Sequence, residues 1–301
     1  MRPQIPGCKN VIAIFFIAAL ISSAARCADP LAASGDHSAD IALDNLLDKA
    51  VAAEGRDDFK TALAIYSQAT QTYPNEARAW AAYGEHLRFY IHDDAGAAAA
   101  FKKAIDAPQI DRHAQAFAWR GLGELAAKQG HDDDAIKMME QSLQAMPLAD
   151  THRSLCHMMV MRKDWEGAAR HARLAVELEP NDPIAILLYA AQLHRAGKQA
   201  EGRVQFQKAL ALAGVDAQGH APGPVHCCVF YNSAGYYAVC GQRADALKML
   251  EAFFKTPNHL HLSRAQIEQD SDFVALKDDK DFIAMLDQYV STSDEKTRKE
   301  H

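Results

Sequence analysis

The stretch Gly223 to Asn232, GPVHCCVFYN, sets a histidine directly before two adjacent cysteines, with His220, His259 and His261 not far off and Cys240 downstream. Imidazole nitrogen and thiolate sulfur are the donors that zinc and copper accept, so His226, Cys227 and Cys228 are the metal-ligand candidates, with His259 and His261 as a neighbouring pair. Two physical points weigh against them. Adjacent residues of a helix project about 100° apart, which separates Cys227 from Cys228. Buried cysteine also commonly packs as a small apolar side chain. A disulfide from Cys228 to Cys240 would have to bridge an unbroken helix of twelve residues, ~18 Å long, far beyond disulfide reach. Packing, a structural disulfide and metal or thiol chemistry therefore all stay open for this cluster.

Other chemistries lack their residues. Around Ser233 the sequence is YNSAG, with Tyr231 where the first glycine of a nucleophile elbow belongs. There is no phosphate-cradling glycine loop, no H-E-x-x-H and no C-x-x-C-H, so nucleotide, metalloprotease and c-type haem readings have no support. The 14 histidines are scattered rather than gathered at ligand spacing. The expectation is a protein that is not an enzyme and carries no cofactor.

The elements that would position these residues come from the rest of the chain. With 49% hydrophobic and 24% charged residues among 301, the composition is that of a globular protein, and abundant alanine with 8% aromatics favours close-packed helices. Arg2 and Lys9 precede the apolar run Val11 to Ile21, followed by Ser22-Ser23-Ala24-Ala25. This is the layout of a secretory signal peptide, residues 1–27, because eleven apolar residues fall short of the ~20 that span a bilayer. Cys27 opens an alternative, a lipoprotein acylated at that thiol, although Arg26 stands where a lipobox takes a small residue. Cleavage near Cys27 removes three basic residues and no acids, which takes the formal charge from −7 to −10 and disfavours nucleic-acid binding. Cys156, Cys227, Cys228 and Cys240 would remain, an even number that permits disulfides in an exported protein. Residues 28–41 are small and polar and read as a flexible leader.

From Ala42 apolar residues recur at three- and four-residue spacing. A small residue followed four later by a large one recurs as Ala62 and Tyr66, Ala97 and Phe101, Ala135 and Met139, Gly202 and Phe206, and Ala246 and Leu250, with Ala168 and Ala172 as a degenerate copy. The anchors stand 35, 38, 33, 34 and 44 residues apart, a 34-residue period with insertions. Trp80 and Trp119 open the preceding helices, Gly84 and Gly123 follow, and Pro74, Pro147 and Pro180 end units. These residues resemble the tetratricopeptide repeat over about 42–257. The resemblance implies an all-α, right-handed superhelical solenoid of about six helix hairpins, with Gly84 and Gly123 admitting the second helix and Trp80, Trp119, Phe101 and Phe206 filling gaps. In the fourth copy His152 and Cys156 replace the aromatic and the glycine, and in the sixth Phe253 replaces a small residue. The segment DSDFVALKDDKDFIAML resembles the end-of-group segment of bacterial arrays. It implies a helical cap over 258–290, with Phe273, Leu276, Phe282 and Leu286 covering the last hairpin and 291–301 a disordered tail.

The family's first helices line a concave groove that binds an extended peptide or a partner helix. Positions one, five and eight after the aromatic point to that groove in this register, which nominates Arg88, Arg120, Glu124, Arg153, His157, His194 and Tyr231, with Arg195 beside His194. The four arginines could form a basic ladder for an acidic or carboxylate-bearing peptide, or pair with groove glutamates such as Glu85 and Glu124. The lysines and asparagines of the family's chaperone-type carboxylate clamp are missing. The reading that results is a non-catalytic, exported and periplasmic scaffold for a protein or peptide partner, with no nucleic acid and no membrane span. The alternatives are an outer-membrane lipoprotein assisting pilus or envelope assembly, and a metal-binding or thiol-active accessory protein using the Cys/His cluster.

Overall fold

The computed structural model describes residues 37–56, 58–216, 219–221, 225–256 and 262–290. The signal segment with Cys27, the leader up to residue 36, His259, His261 and the tail 291–301 lie outside the described residues. Every regular element among the described residues is helical, and none is long and apolar enough to cross a membrane.

The chain packs as two units, one through Thr151 and one from His152. The first contains α1 (His37–Glu54), α2 (Phe59–Thr72), α3 (Ala77–His86), α4 (Asp94–Ile105), α5 (Arg112–Lys128) and α6 (Asp132–Ala145). They pair as three antiparallel hairpins, α1 with α2, α3 with α4 and α5 with α6. The first helix begins at His37, inside the segment read as a leader, and its buried face runs through Leu43, Leu47 and Ala50 at helical spacing. The helices start where a short carboxylate can satisfy an orphan amide: Asp58 accepts from Thr61 N, Asp93 from Gly96 N and Asp111 from Ala114 N. Pro74 and Pro147 stand two residues beyond the ends of α2 and α6, where a helix can no longer use them.

The small anchors do what the period requires. Ala62, Ala97 and Ala135 are fully buried, as are Tyr66 and Phe101 four residues beyond the first two. Phe101 is pinched between two glycines. A methyl group added at Gly84 would sit 2.7 Å from its ring, and one at Gly121, in the next hairpin, 2.5 Å away. Gly123 lets the backbone of α6 come close, since a methyl there would lie 3.0 Å from the Ala135 carbonyl. Trp80 is held by a bond from Nε1 to the Pro74 carbonyl at 2.8 Å, and Lys103 lies over its ring at 4.0 Å.

The second unit contains α7 (Ala149–Met161) from His152 on, α8 (Trp165–Leu178), α9 (Pro183–Arg195), α10 (Gln199–Ala213), α11 (Cys227–Val239) and α12 (Arg243–Lys255). It ends with α13 (Arg264–Glu268), a 3-10 turn (Val274–Leu276) and α14 (Lys280–Tyr289). Gly202 permits close approach here, since a methyl group would meet the Ala190 carbonyl at 2.8 Å. Phe206 stacks on Tyr236 at 4.1 Å. Where the sixth copy puts Phe253 in a small-residue position, the ring is fully buried against Tyr231 and Phe254, so the terminal hairpin has an aromatic core. Phe273, Leu276, Phe282 and Leu286 are all buried in the cap, and Phe273 bridges Tyr231 and Phe282. Among the described residues, helix hairpins with this small-residue spacing recur in both units.

Candidate functional site

Of the positions one after the aromatic, Arg153 is half-buried and the others are closed off from solvent. Ala81, Arg120 and Leu187 are fully buried and Tyr231 is 9% exposed. The reason is packing: the first helices of successive hairpins lie side by side, α3 against α5 and α9 against α11, so this position faces a neighbouring helix.

In the first unit that burial turns the expected ladder into a closed quartet. Arg120 reaches Glu85 at 3.0 Å and Glu124 at 2.9 Å, and Arg88 reaches the remaining oxygens of the same two carboxylates at 2.7 and 2.5 Å. Two bonds run within a helix, at i,i+3 and i,i+4, and two cross between helices. Burial alone would push the Arg120 guanidinium down, but the Glu124 and Glu85 carboxylates outweigh it and hold its pKa above the ordinary value. The four charges cancel, which is why arginine is tolerated with no exposed surface. Arg120 and Glu124 are therefore core structure rather than an open surface for a partner's carboxylate. Arg153, in the second unit, is also paired: it bridges Glu179 at 2.7 Å and Asp182 at 3.2 Å, bracing the α8–α9 connection.

The second unit does hold a bound carboxylate segment, supplied by the chain itself. Arg195 donates from Nη2 to Asp272 Oδ1 at 2.6 Å and to the Ser271 carbonyl at 3.2 Å, while Nη1 is steadied by Gln192 at 3.1 Å. Tyr231 donates its hydroxyl to Asp270 Oδ2 at 2.8 Å, and Asp270 Oδ1 accepts the Asp272 amide at 2.9 Å, tightening the turn. Gly235 gives the Asp272 carboxylate room against α11, since a methyl group there would lie 2.6 Å from its Oδ2. Phe273 follows the two acids and packs its ring against Tyr231, with centroids 5.3 Å apart. Burial, with Asp272 beside it, pushes Asp270 up to about 7, and burial with Asp270 raises the Tyr231 phenol. Arg195 and Tyr231 were legible as groove candidates. Their occupant was not, because Asp270 and Asp272 carry only the rhythm of a capping segment.

The remaining candidates sit nearby in the fold. Cys240 Sγ lies 3.2 Å from His194 Nδ1; burial raises the thiol, and burial with Arg195 lowers the imidazole. His157 is half-buried on α7. His152 and His171 face each other through Nδ1 atoms 3.1 Å apart, and burial with His152 pushes His171 down to about 4. Burial raises the Cys156 thiol.

At the start of α11, His226 caps the helix by accepting the Cys228 amide on Nδ1 at 3.3 Å. Cys227 and Cys228 carry reduced thiols, as do Cys156 and Cys240. Their sulfurs lie 3.9 Å apart, against the expectation that adjacent cysteines diverge. A 100° step separates the Cα–Cβ directions only modestly on a narrow helix, and χ1 rotation brings the sulfurs back together. The Cys227 contact and burial raise the Cys228 thiol.

Comparison with known proteins shows the fold and little more. No protein-family model matches the chain. Protein O-mannosyl-transferase Tmtc1 of Drosophila melanogaster is 32% identical over 106 residues, 33% of this chain and 12% of that protein, so the match spans a small part of its length. Among solved structures, PilW, a widely conserved type IV pilus biogenesis factor, superposes with a TM-score of 0.53 at 13% identity over 77% of this chain and 98% of PilW. Pseudomonas aeruginosa PilF gives 0.52 at 16% identity over 77% and 97%.

Proposed function

We propose that this chain, which has the tetratricopeptide-repeat fold, is a non-catalytic scaffold that binds an acidic, aromatic-bearing segment of a protein partner on the α9–α11 face. The observation that carries the reading is the seating of Asp270 to Phe273. Arg195 grips one carboxylate, Tyr231 donates to another, Gly235 makes room, and an aromatic ring follows into the core. The chain's own cap holds the place that a partner's segment of the same chemistry would take. Export to the periplasm, lipidation at Cys27 and a role in pilus or envelope assembly belong to this proposal as its setting. The leader sequence supports export, and the PilW and PilF likeness supports only the fold.

A tethered ligand competes at an effective concentration of about millimolar, so a free peptide should bind the intact chain weakly. The experiment titrates a labelled peptide of residues 268–276 into the whole protein, the D270A/D272A variant and the same variant carrying R195A. Loosening the cap should strengthen binding about tenfold or more, and R195A should abolish the gain. Equal, absent or R195A-insensitive binding contradicts the reading.

A further inference from the structure

The His226, Cys227 and Cys228 cluster opens α11, one turn before Tyr231, and carries its own chemistry. One donor atom from each residue lies within 4.8 Å of the others, and they come from three consecutive residues at one helix start. The decisive distance is between the sulfurs. With metal–sulfur bonds of about 2.3 Å, two thiolates on one ion stand ~3.8 Å apart in tetrahedral geometry and ~4.0 Å in trigonal geometry. The observed separation is 3.9 Å, so neither sulfur has far to move. The Nδ1 lone pair of His226 is directed at the first turn of α11 in a long capping bond of 3.3 Å, which a metal could replace.

Charge selects the ion. Cys227 is 9% exposed and Cys228 2%, and a buried net charge is costly. Two thiolates and a neutral imidazole cancel the charge of a dication, whereas a monovalent ion would leave one negative charge behind. Soft sulfur donors exclude magnesium and calcium. The exposed position of His226 leaves one side of the cluster open to water as a fourth ligand.

We propose that His226, Cys227 and Cys228 bind one thiophilic d10 dication per chain, with zinc as the ion, two thiolates and one imidazole as ligands and water completing the shell. Binding displaces both thiol protons to solvent, so that one Zn²⁺ and two thiols give a neutral zinc dithiolate and two protons.

The test uses the whole protein, fully reduced and stripped of metal, with thiols counted before titration. Zinc is added in competition with a colorimetric chelator, and cobalt(II) is used as a spectroscopic substitute that reports thiolate ligation by ultraviolet charge-transfer absorption. The expected result is one equivalent with that absorption, lost in C227S/C228S and weakened on the order of tenfold or more in H226A. Because Cys228 is buried, circular dichroism checks that each variant folds, and the wild-type titration stands without them. No zinc bound by the reduced wild type, binding of copper(I) but not zinc, or an equivalent retained by a folded C227S/C228S would each overturn the proposal.

Discussion

Arg120 and Arg153 differ in what their removal leaves behind. R120A leaves the Glu85 and Glu124 carboxylates sharing Arg88 alone, with one negative charge uncompensated in a buried site, a loss on the order of 3–5 kcal/mol. R153A frees Glu179 and Asp182, both partly exposed, and should cost about 1 kcal/mol or less. Denaturant midpoints of the two variants separate these outcomes, and equal losses would contradict the buried quartet. The residue types at these positions were readable from the period alone, including the option that the arginines pair with glutamates. Their burial was not readable, because Arg120 meets Glu85 thirty-five positions away and nothing local in the sequence marks that side as a helix–helix seam. Asp270 offers a second check. Its pKa rises from 3.8 to about 7 on folding, so the native state holds the proton more tightly than the unfolded chain does. Stability from this group therefore falls as pH rises from about 4 towards 7 and is level above. The melting temperature of D270N minus that of the wild type should grow across that window. Tyr231, Asp272 and Arg195 are the polar partners that set it, and a difference flat with pH contradicts the assignment.

At the scale of elements, the irregular repeat spacings have identifiable causes. Ala62 and Ala97 stand 35 apart, one more than the period, and α3 continues into a π-helical turn over Leu87–Ile91, a geometry that absorbs one added residue. Ala97 and Ala135 stand 38 apart, and α5 runs 17 residues where α9 runs 13, a difference of about one turn. The period and its anchors were thus enough to find the hairpins, while the register of exposure failed where neighbouring first helices cover each other. Gly84 is the sharpest test of the packing. G84A drives a methyl group into the buried Phe101 ring, which Gly121 confines from the other side, so a loss of about 1–3 kcal/mol is expected in chemical unfolding. Wild-type stability in G84A would mean that Phe101 has room that this packing denies it.

For the molecule as a whole, the last segment has two roles in the second unit. Phe273, Phe282 and Leu286 close an apolar face that a terminal hairpin would otherwise leave wet, and Arg243 on α12 ties to Asp279 and Asp281 at the start of α14. Asp270 and Asp272, on the same segment, fill the carboxylate positions of α9 and α11. A cap alone requires only the apolar anchors; under the proposed function the acids tie closure to recognition. The most direct measurement is amide hydrogen exchange of the intact wild-type chain with and without a saturating peptide of residues 268–276. Competition predicts faster exchange at residues 270–276 once the peptide is bound, while α9 and α11 keep their protection. A bound peptide that leaves exchange at residues 270–276 unchanged would contradict the claim that the α9–α11 face is the binding site.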